Sequence, residues 1–237
     1  TLVAVCPLVT EPLVFTGGRE FAFSINKRTT DTYSLPTPAP VALTEKDFAL
    51  CMEEVDRRAQ EFGIARIRMF IDPLTSAATN NPLLAFGYQD ASSTTHIIDV
   101  SQDEQTLLSR MSKGHRLDIL FAERQNYDVR TLSDATGLHA SLYVHGECVA
   151  HVSVRTYKQR AYYGKSHREE GARALRGAGQ LLQWRIIQEL KRRGFAKYDM
   201  GWQTGSTPKE AAIASFKKHF GGDPTPLWIG IKTNVVM

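Results

Sequence analysis

Cysteine is scarce in this chain. There are three in 237 residues (Cys6, Cys51 and Cys148), with no CxxC pair and no His/Cys group at ligand spacing. That pattern speaks against a disulfide framework and a structural zinc site, and it points to a reducing, cytoplasmic setting. Cys148 lies in an apolar, strand-like run and reads as a small core residue. Long apolar runs are missing as well: none approaches the roughly 20 residues of a membrane span. No signal-peptide pattern is present, although the chain starts at Thr1, already inside an apolar stretch, which reads as a trimmed N-terminus. Neither a GxSxG nor a Cys-His arrangement offers an activated nucleophile.

What is present is ordinary for a globular protein, with 42% hydrophobic and 23% charged residues. The net charge of +4 hides an asymmetry. Residues 1–98 carry 8 basic and 11 acidic side chains, a net of −3, and residues 99–237 carry 21 and 14, a net of +7. Positive charge gathered in one half favours a phosphate-bearing partner, although a merely soluble basic surface has the same composition.

Strand-type and helix-type segments alternate. "TLVAVCPLV" reads as a strand, and the Pro-rich stretch after it as loop. Thr44 opens a helix with Phe48, Cys51, Met52, Val55 and Ala59 at helical spacing, and Gly63 stops it. "IARIRMFID" and "THIIDV" read as strands, and Ser101 caps a helical stretch interrupted at Gly114. "LHASLYVHGECVAHVSVRTY" reads as a hairpin turning at His145-Gly146-Glu147, followed by a strand in "RAYYGKS". A long amphipathic helix over roughly 173–193 stops at Gly194; the strand "FAKYDMGW", a helix in "AAIASFKKHFGG" and a closing strand "PLWIGIKTNVV" complete the chain.

Two junctions match: "EFGIARIRM" (61–69) and "RRGFAKYDM" (192–200) each join a helix end, a glycine, an apolar residue, Ala and a basic residue, and both end on Met. The order strand, helix, Gly, strand thus occurs twice, which points to a duplicated α/β unit with mixed sheets. A cleft between two such lobes is the default place for a ligand.

These segments together carry a resemblance. "LLSRMSKGHRLDILFAERQNYDV", with its Lys-x-x-Arg, is similar to the corresponding helix-to-strand segment of FemABX-like transferases. "LLQWRIIQELKRRGFAKYDMGW" followed by "IASFKKHFGG" resembles their C-terminal signature, and "RMFIDP" their strand ending in Asp-Pro. The resemblance implies two tandem GNAT-like domains, 1–98 (incomplete at its N-terminus) and 99–237. It implies transfer of an amino acid from aminoacyl-tRNA to an amino group of a peptide or nucleotide-linked peptidoglycan precursor, in cell-wall or peptide-antibiotic biosynthesis. No metal or cofactor is implied, since the activated ester carries the driving force. The chain departs from the family in lacking the opening strand and helix of the first domain and the long coiled-coil insertion of some members.

By the same resemblance Lys217 is the "FK" lysine, placed to stabilise an oxyanion or to contact the terminal tRNA phosphate, and Phe216 beside it is a substrate-binding residue. Arg116 and Lys113 are the phosphate-binding pair, and Tyr163 matches a substrate-contacting tyrosine, with Tyr162 the alternative register. Asp72 either orients the acceptor amine or caps the turn before Pro73. Asp199 reads as structural, and His115 and His219 as solvated. A rival reading is an acyl-CoA-dependent N-acyltransferase. Gly177-Ala178-Gly179 in "ARALRGAGQLL" has the Gly-x-Gly of a pyrophosphate loop, but Ala174 stands where Gln or Arg is expected. A third is a non-catalytic tRNA- or precursor-binding module.

Overall fold

The computed structural model describes residues 4–5, 10–12, 19–21, 37–125, 127–135, 137–203 and 207–233. Cys6 and most of "TLVAVCPLV" lie outside the described residues. The chain forms two compact units, one of residues 1–93 with 226–237 and the other of residues 94–225. Each has its own buried apolar cluster.

The first unit contains β1 (Ala4–Val5), β2 (Thr10–Pro12), β3 (Arg19–Phe21), β4 (Thr37–Pro38), β5 (Val41–Ala42), α1 (Glu45–Glu61), β6 (Ile64–Phe70), a 3-10 turn over Pro82–Phe86, and β7 (Gln89–Asp90). The second contains β8 (Ser93–Asp99), α2 (Glu104–Arg110), α3 (Lys113–Arg124), β9 (Asp128–Asp134), β10 (Gly137–Val144), β11 (Glu147–Tyr157), β12 (Arg160–Arg168), a 3-10 turn over Gly171–Ala174, α4 (Ala178–Arg192), β13 (Lys197–Asp199), α5 (Pro208–Lys218) and β14 (Asp223–Leu227). The closing strand, β15 (Ile229–Thr233), then returns to the first unit.

In the first unit α1 starts as its residues dictate: the Thr44 side chain accepts from Asp47 N, and Met52, Val55 and Ala59 line the buried face. The sheet runs β2-β3-β6-β15-β7, with β4 also on β6. β15 pairs antiparallel with β6 from Ile229↔Phe70 to Thr233↔Arg66, so the chain's last described strand fills the centre of the sheet its first half began. Two polar contacts hold it there. Buried Asn81 donates to the Ile229 carbonyl at 2.9 Å, and Lys232 Nζ pairs with Asp56 Oδ2 of α1 at 2.6 Å.

The second unit has a seven-stranded sheet, β14-β8-β13-β12-β11-β10-β9. Leu138, Ala140, Leu142, Val152 and Val154 turn one face of β10 and β11 to the core, which α4 completes with Leu181, Leu182, Trp184, Ile186, Ile187 and Leu190. The period-2 and period-3.6 patterns meet here as the sequence indicates. The hairpin turn is two residues, His145-Gly146, both at positive φ. Both helix–Gly–strand junctions form, with Gly63 and Gly194 in left-handed backbone after α1 and α4.

Several expectations are corrected. The helical stretch after Ser101 breaks at Met111-Ser112, where the Ser112 side chain caps α3, and Gly114 is helical. Phe216 and Phe220 anchor α5 on the core, while Ile213 is 44% exposed. Cys148 is exposed because it sits at the hairpin end. His115 is buried, and its Nε2–H donates to the Phe216 carbonyl at 3.0 Å while its ring packs on Phe220 at 4.6 Å. His219 is exposed.

Burial is the leading cause that depresses the pKa of His115, and also those of His96 and His151. The fold keeps these imidazoles neutral, whereas the unfolded chain protonates them near their ordinary value of 6.5. Their contribution to stability is therefore complete above that pH and is lost as pH falls below it toward the depressed native values. Urea midpoints should fall between pH 7.5 and pH 5.5; a flat profile would contradict neutral burial.

Candidate active site

The site begins with a sheet that comes apart. β12 and β13 run parallel, but they pair only from Arg160↔Lys197 to Tyr162↔Asp199. Beyond that β12 continues along β11 to Arg168, through a register shift at Ser153/Val154, while the chain leaves β13 by a turn at Met200-Gly201-Trp202. The parted strands leave a notch in an otherwise continuous sheet.

α5 reaches this notch. Thr207 and Glu210 form a reciprocal capping box with Pro208 in the first turn, which fixes where the helix starts. At its far end Phe216 packs on Phe220 at 5.2 Å and on His115 at 5.3 Å. One residue further round the helix, Lys217 is only 7% exposed. Its Nζ donates to the Trp202 carbonyl at 3.1 Å and lies 4.7 Å from the centre of the Tyr163 ring. Gly201 holds the turn beside it in left-handed backbone, at φ 76°, which favours glycine; a Cβ there would make only ordinary contacts, 3.4 Å to the Nζ and 3.8 Å to Tyr163 Cβ. Among the described residues, Trp202 supplies the one hydrogen-bond acceptor of an ammonium that has three N–H bonds.

Desolvation lowers the pKa of Lys217 from 10.5 to about 8, opposed by the negative charge of Asp199. Burial also raises the pKa of Tyr163, whose hydroxyl donates to Ser166 Oγ at 2.7 Å. Near neutral pH the notch therefore holds a cationic amine beside a neutral phenol. An amine so placed can stabilise negative charge developing on a bound carbonyl.

The other expected residues lie in different settings. Arg116, on α3, turns its Nη1 to the Ser109 carbonyl at 3.1 Å and also to those of Met111 and Leu108, so it caps the end of α2. Lys113 is exposed at the first turn of the same helix. Asp72 belongs to the first unit, where its Oδ1 accepts from Leu74 N at 2.9 Å and its carbonyl accepts from Thr75 N and Ser76 N. Of the expected residues the notch brings together Lys217 and Tyr163, with Phe216 as the packing anchor.

Sequence reading missed the groups that shape the notch. Thr95 of β8 donates through Oγ1 to Asp199 Oδ1, and Gly201 N donates to the same oxygen at 2.8 Å. The available signal was a buried-type acid followed two residues later by glycine in "YDMGW". The Gly-x-Gly at the start of α4 has a packing explanation. A Cβ on Gly177 would stand 2.2 Å from the Asp118 carbonyl oxygen of α3, and Arg176 pairs with the Asp118 side chain at 2.9 Å. The Arg168 guanidinium lies against Gly179, where it fills the space a side chain would take.

Among the described residues no helix is long and apolar enough to cross a membrane, and no group of three or more His, Cys, Asp and Glu is arranged to hold a metal.

If Lys217 is a functional cation, it is a burden on the fold. Below pH 8 both states carry the proton and the native state bears the full cost of the buried charge. Between about pH 8 and 10.5 the native amine is neutral while the unfolded one stays charged, so native stability rises with pH. Lys217→Met should thus be more stable than the parent at pH 7 by up to about 3 kcal/mol, a gap that closes toward pH 10.5. Denaturant melts at pH 7 and pH 10 test this. A less stable variant at pH 7 would assign the residue to packing.

Residues 98–215 match the family profile described as an acetyltransferase (GNAT) domain. Among solved structures, FemX is similar with a TM-score of 0.68 at 9% identity, over 96% of this chain and 85% of FemX. L-PGS from Bacillus licheniformis is similar with a TM-score of 0.64 at 15% identity, over 98% and 82%. A tandem GNAT protein from the clavulanic acid biosynthesis pathway has a TM-score of 0.50 at 12% identity, over 81% and 71%. No curated protein matches in sequence. Residues 98–215 are therefore matched as a GNAT domain, in a chain that shares the two-domain fold of these structures.

Proposed function

We propose that the protein transfers an amino acid from aminoacyl-tRNA to the amino group of a peptide or peptidoglycan-precursor acceptor. The observation that carries this reading is the ammonium of Lys217, desolvated in the notch between β12 and β13 and held by the Trp202 carbonyl and the Tyr163 ring. The basic excess of residues 99–237 and the structural likeness to FemX support it.

In this scheme the acceptor amine attacks the carbonyl carbon of the aminoacyl ester. A C–N bond forms and the carbonyl electrons move to oxygen, where Lys217 meets the new negative charge. As the tetrahedral centre collapses, the bond to the ribose oxygen breaks, the amine loses a proton and the ribose oxygen gains one. The protein's task is to hold both substrates and to stabilise that oxyanion. Tyr163 forms one wall of the site through its ring, and Phe216 sets the register of α5.

Lys217→Met should cost about 100-fold or more in kcat, as loss of an oxyanion donor does elsewhere. In the parent, turnover should decline as pH rises through about 8, where Lys217 loses its proton. Charged tRNA pools with candidate amine acceptors, analysed by mass spectrometry of the products, check both. Binding that weakens steeply with salt but yields no product would instead indicate a tRNA-binding module.

The match to the acetyltransferase profile favours a second reading, an acyl-CoA-dependent N-acyltransferase. Thermal stabilisation by CoA, without response to aminoacyl-tRNA mimics, would select it.

A further inference from the structure

Asp199 is the buried carboxylate for which this scheme has no task. It ends β13, is 7% exposed, and lies on the strand bordering the notch. Its Oδ1 accepts from the hydroxyl of fully buried Thr95 and from the backbone N–H of Gly201 at 2.8 Å. The Thr95 hydroxyl also lies 3.1 Å from the Gly201 carbonyl oxygen. Gly201 is thus held through its N–H, with its C=O beside the same hydroxyl. The next carbonyl along the chain, that of Trp202, is the one that holds Lys217.

Asparagine could accept the same two hydrogen bonds, without the several kcal/mol that burying an ion costs. What the carboxylate adds is charge, and its sign favours the protonated form of the neighbouring lysine. Two further carboxylates face this end of α5, Asp118 acting on His115 and Asp223 acting on His96, but the negative charge that acts on Lys217 is that of Asp199. Tyr163 on β12 and Tyr198 on β13 are phenols whose burial raises their pKa, and His96 on β8 and His115 on α3 have burial-lowered pKa values. Lys218 and His219 on α5 itself are exposed and carry no negative charge.

We propose that Asp199, fixed by Thr95, is a positioning residue: it sets the Gly201-Trp202 turn against Lys217 and holds that side chain as an ammonium at neutral pH. This rests on reading Lys217 as the cation of the transfer reaction. The proposed step itself involves no bond change at Asp199, only the placing and charging of the lysine.

The test is a side-chain NMR titration of the full chain labelled with 13C-lysine, the Lys217 signal being the one lost in Lys217→Met. In Asp199→Asn the midpoint of Lys217 should fall by at least about one pH unit, a tenfold loss of proton affinity. Thr95→Val should lower it by less, and Thr95→Ser should restore the parent value. An unchanged or raised midpoint in folded Asp199→Asn overturns the proposal. If that variant does not fold, a Thr95→Val midpoint equal to that of the parent overturns it. The titration needs no substrate, so it remains decisive even if no acyl donor yields product. If transfer is observed, the alkaline limb of kcat should move with the midpoint while KM for the tRNA stays.

Discussion

The second unit is organised around one unfavourable act, the burial of the Lys217 ammonium. Apolar surroundings withdraw its solvation, and a single backbone carbonyl and an aromatic face return only part of it. A fold selected for stability alone would place methionine or leucine there. Around the charge lie a turn with glycine in left-handed backbone, a strand pair that separates after three residues, and a carboxylate within electrostatic reach.

The separation of β12 and β13 makes that burial compatible with a continuous core. Tyr198 of β13 is fully buried, with its hydroxyl on Gln183 of α4, so β13 is anchored from the helical side. β12 is anchored by its ladder to β11. Each strand is held by a different partner where the two part. His115 completes the arrangement from α3, since its bond to the Phe216 carbonyl fixes the last turn of α5 and hence the direction of the adjacent lysine.

Much of the fold was legible in the sequence because it depends on local pattern. The Thr44 cap, the apolar period of α1, the alternation in β10 and β11 and the glycines after both helices are short-range signals. The family resemblance named Lys217, Phe216 and Tyr163 one by one, but not that the ammonium lies over the Tyr163 ring. What could not be read was long-range. Arg116 is recognisable as a basic residue on a helix, but its turn toward the carbonyls of α2 depends on how the chain bends at Met111-Ser112. Asp72 was open between two roles, and its Oδ1 accepts from Leu74 N within a turn. His115 looked solvated because nothing local marks the approach of Phe216 and Phe220, about a hundred residues later. The same holds for Thr95 and Asp199, which meet only once the strands are ordered side by side.

The central claim is that the Lys217 ammonium waits where the oxyanion forms. It is tested most directly by a crystal structure with a phosphonate analogue of the tetrahedral intermediate, joining an aminoacyl group to a 3′-adenosine. The account predicts a phosphonate oxygen at about 3 Å from Lys217 Nζ, in hydrogen-bond contact with it. An analogue bound with its charged oxygens elsewhere, and Lys217 contacting only Trp202 and Tyr163, would contradict it.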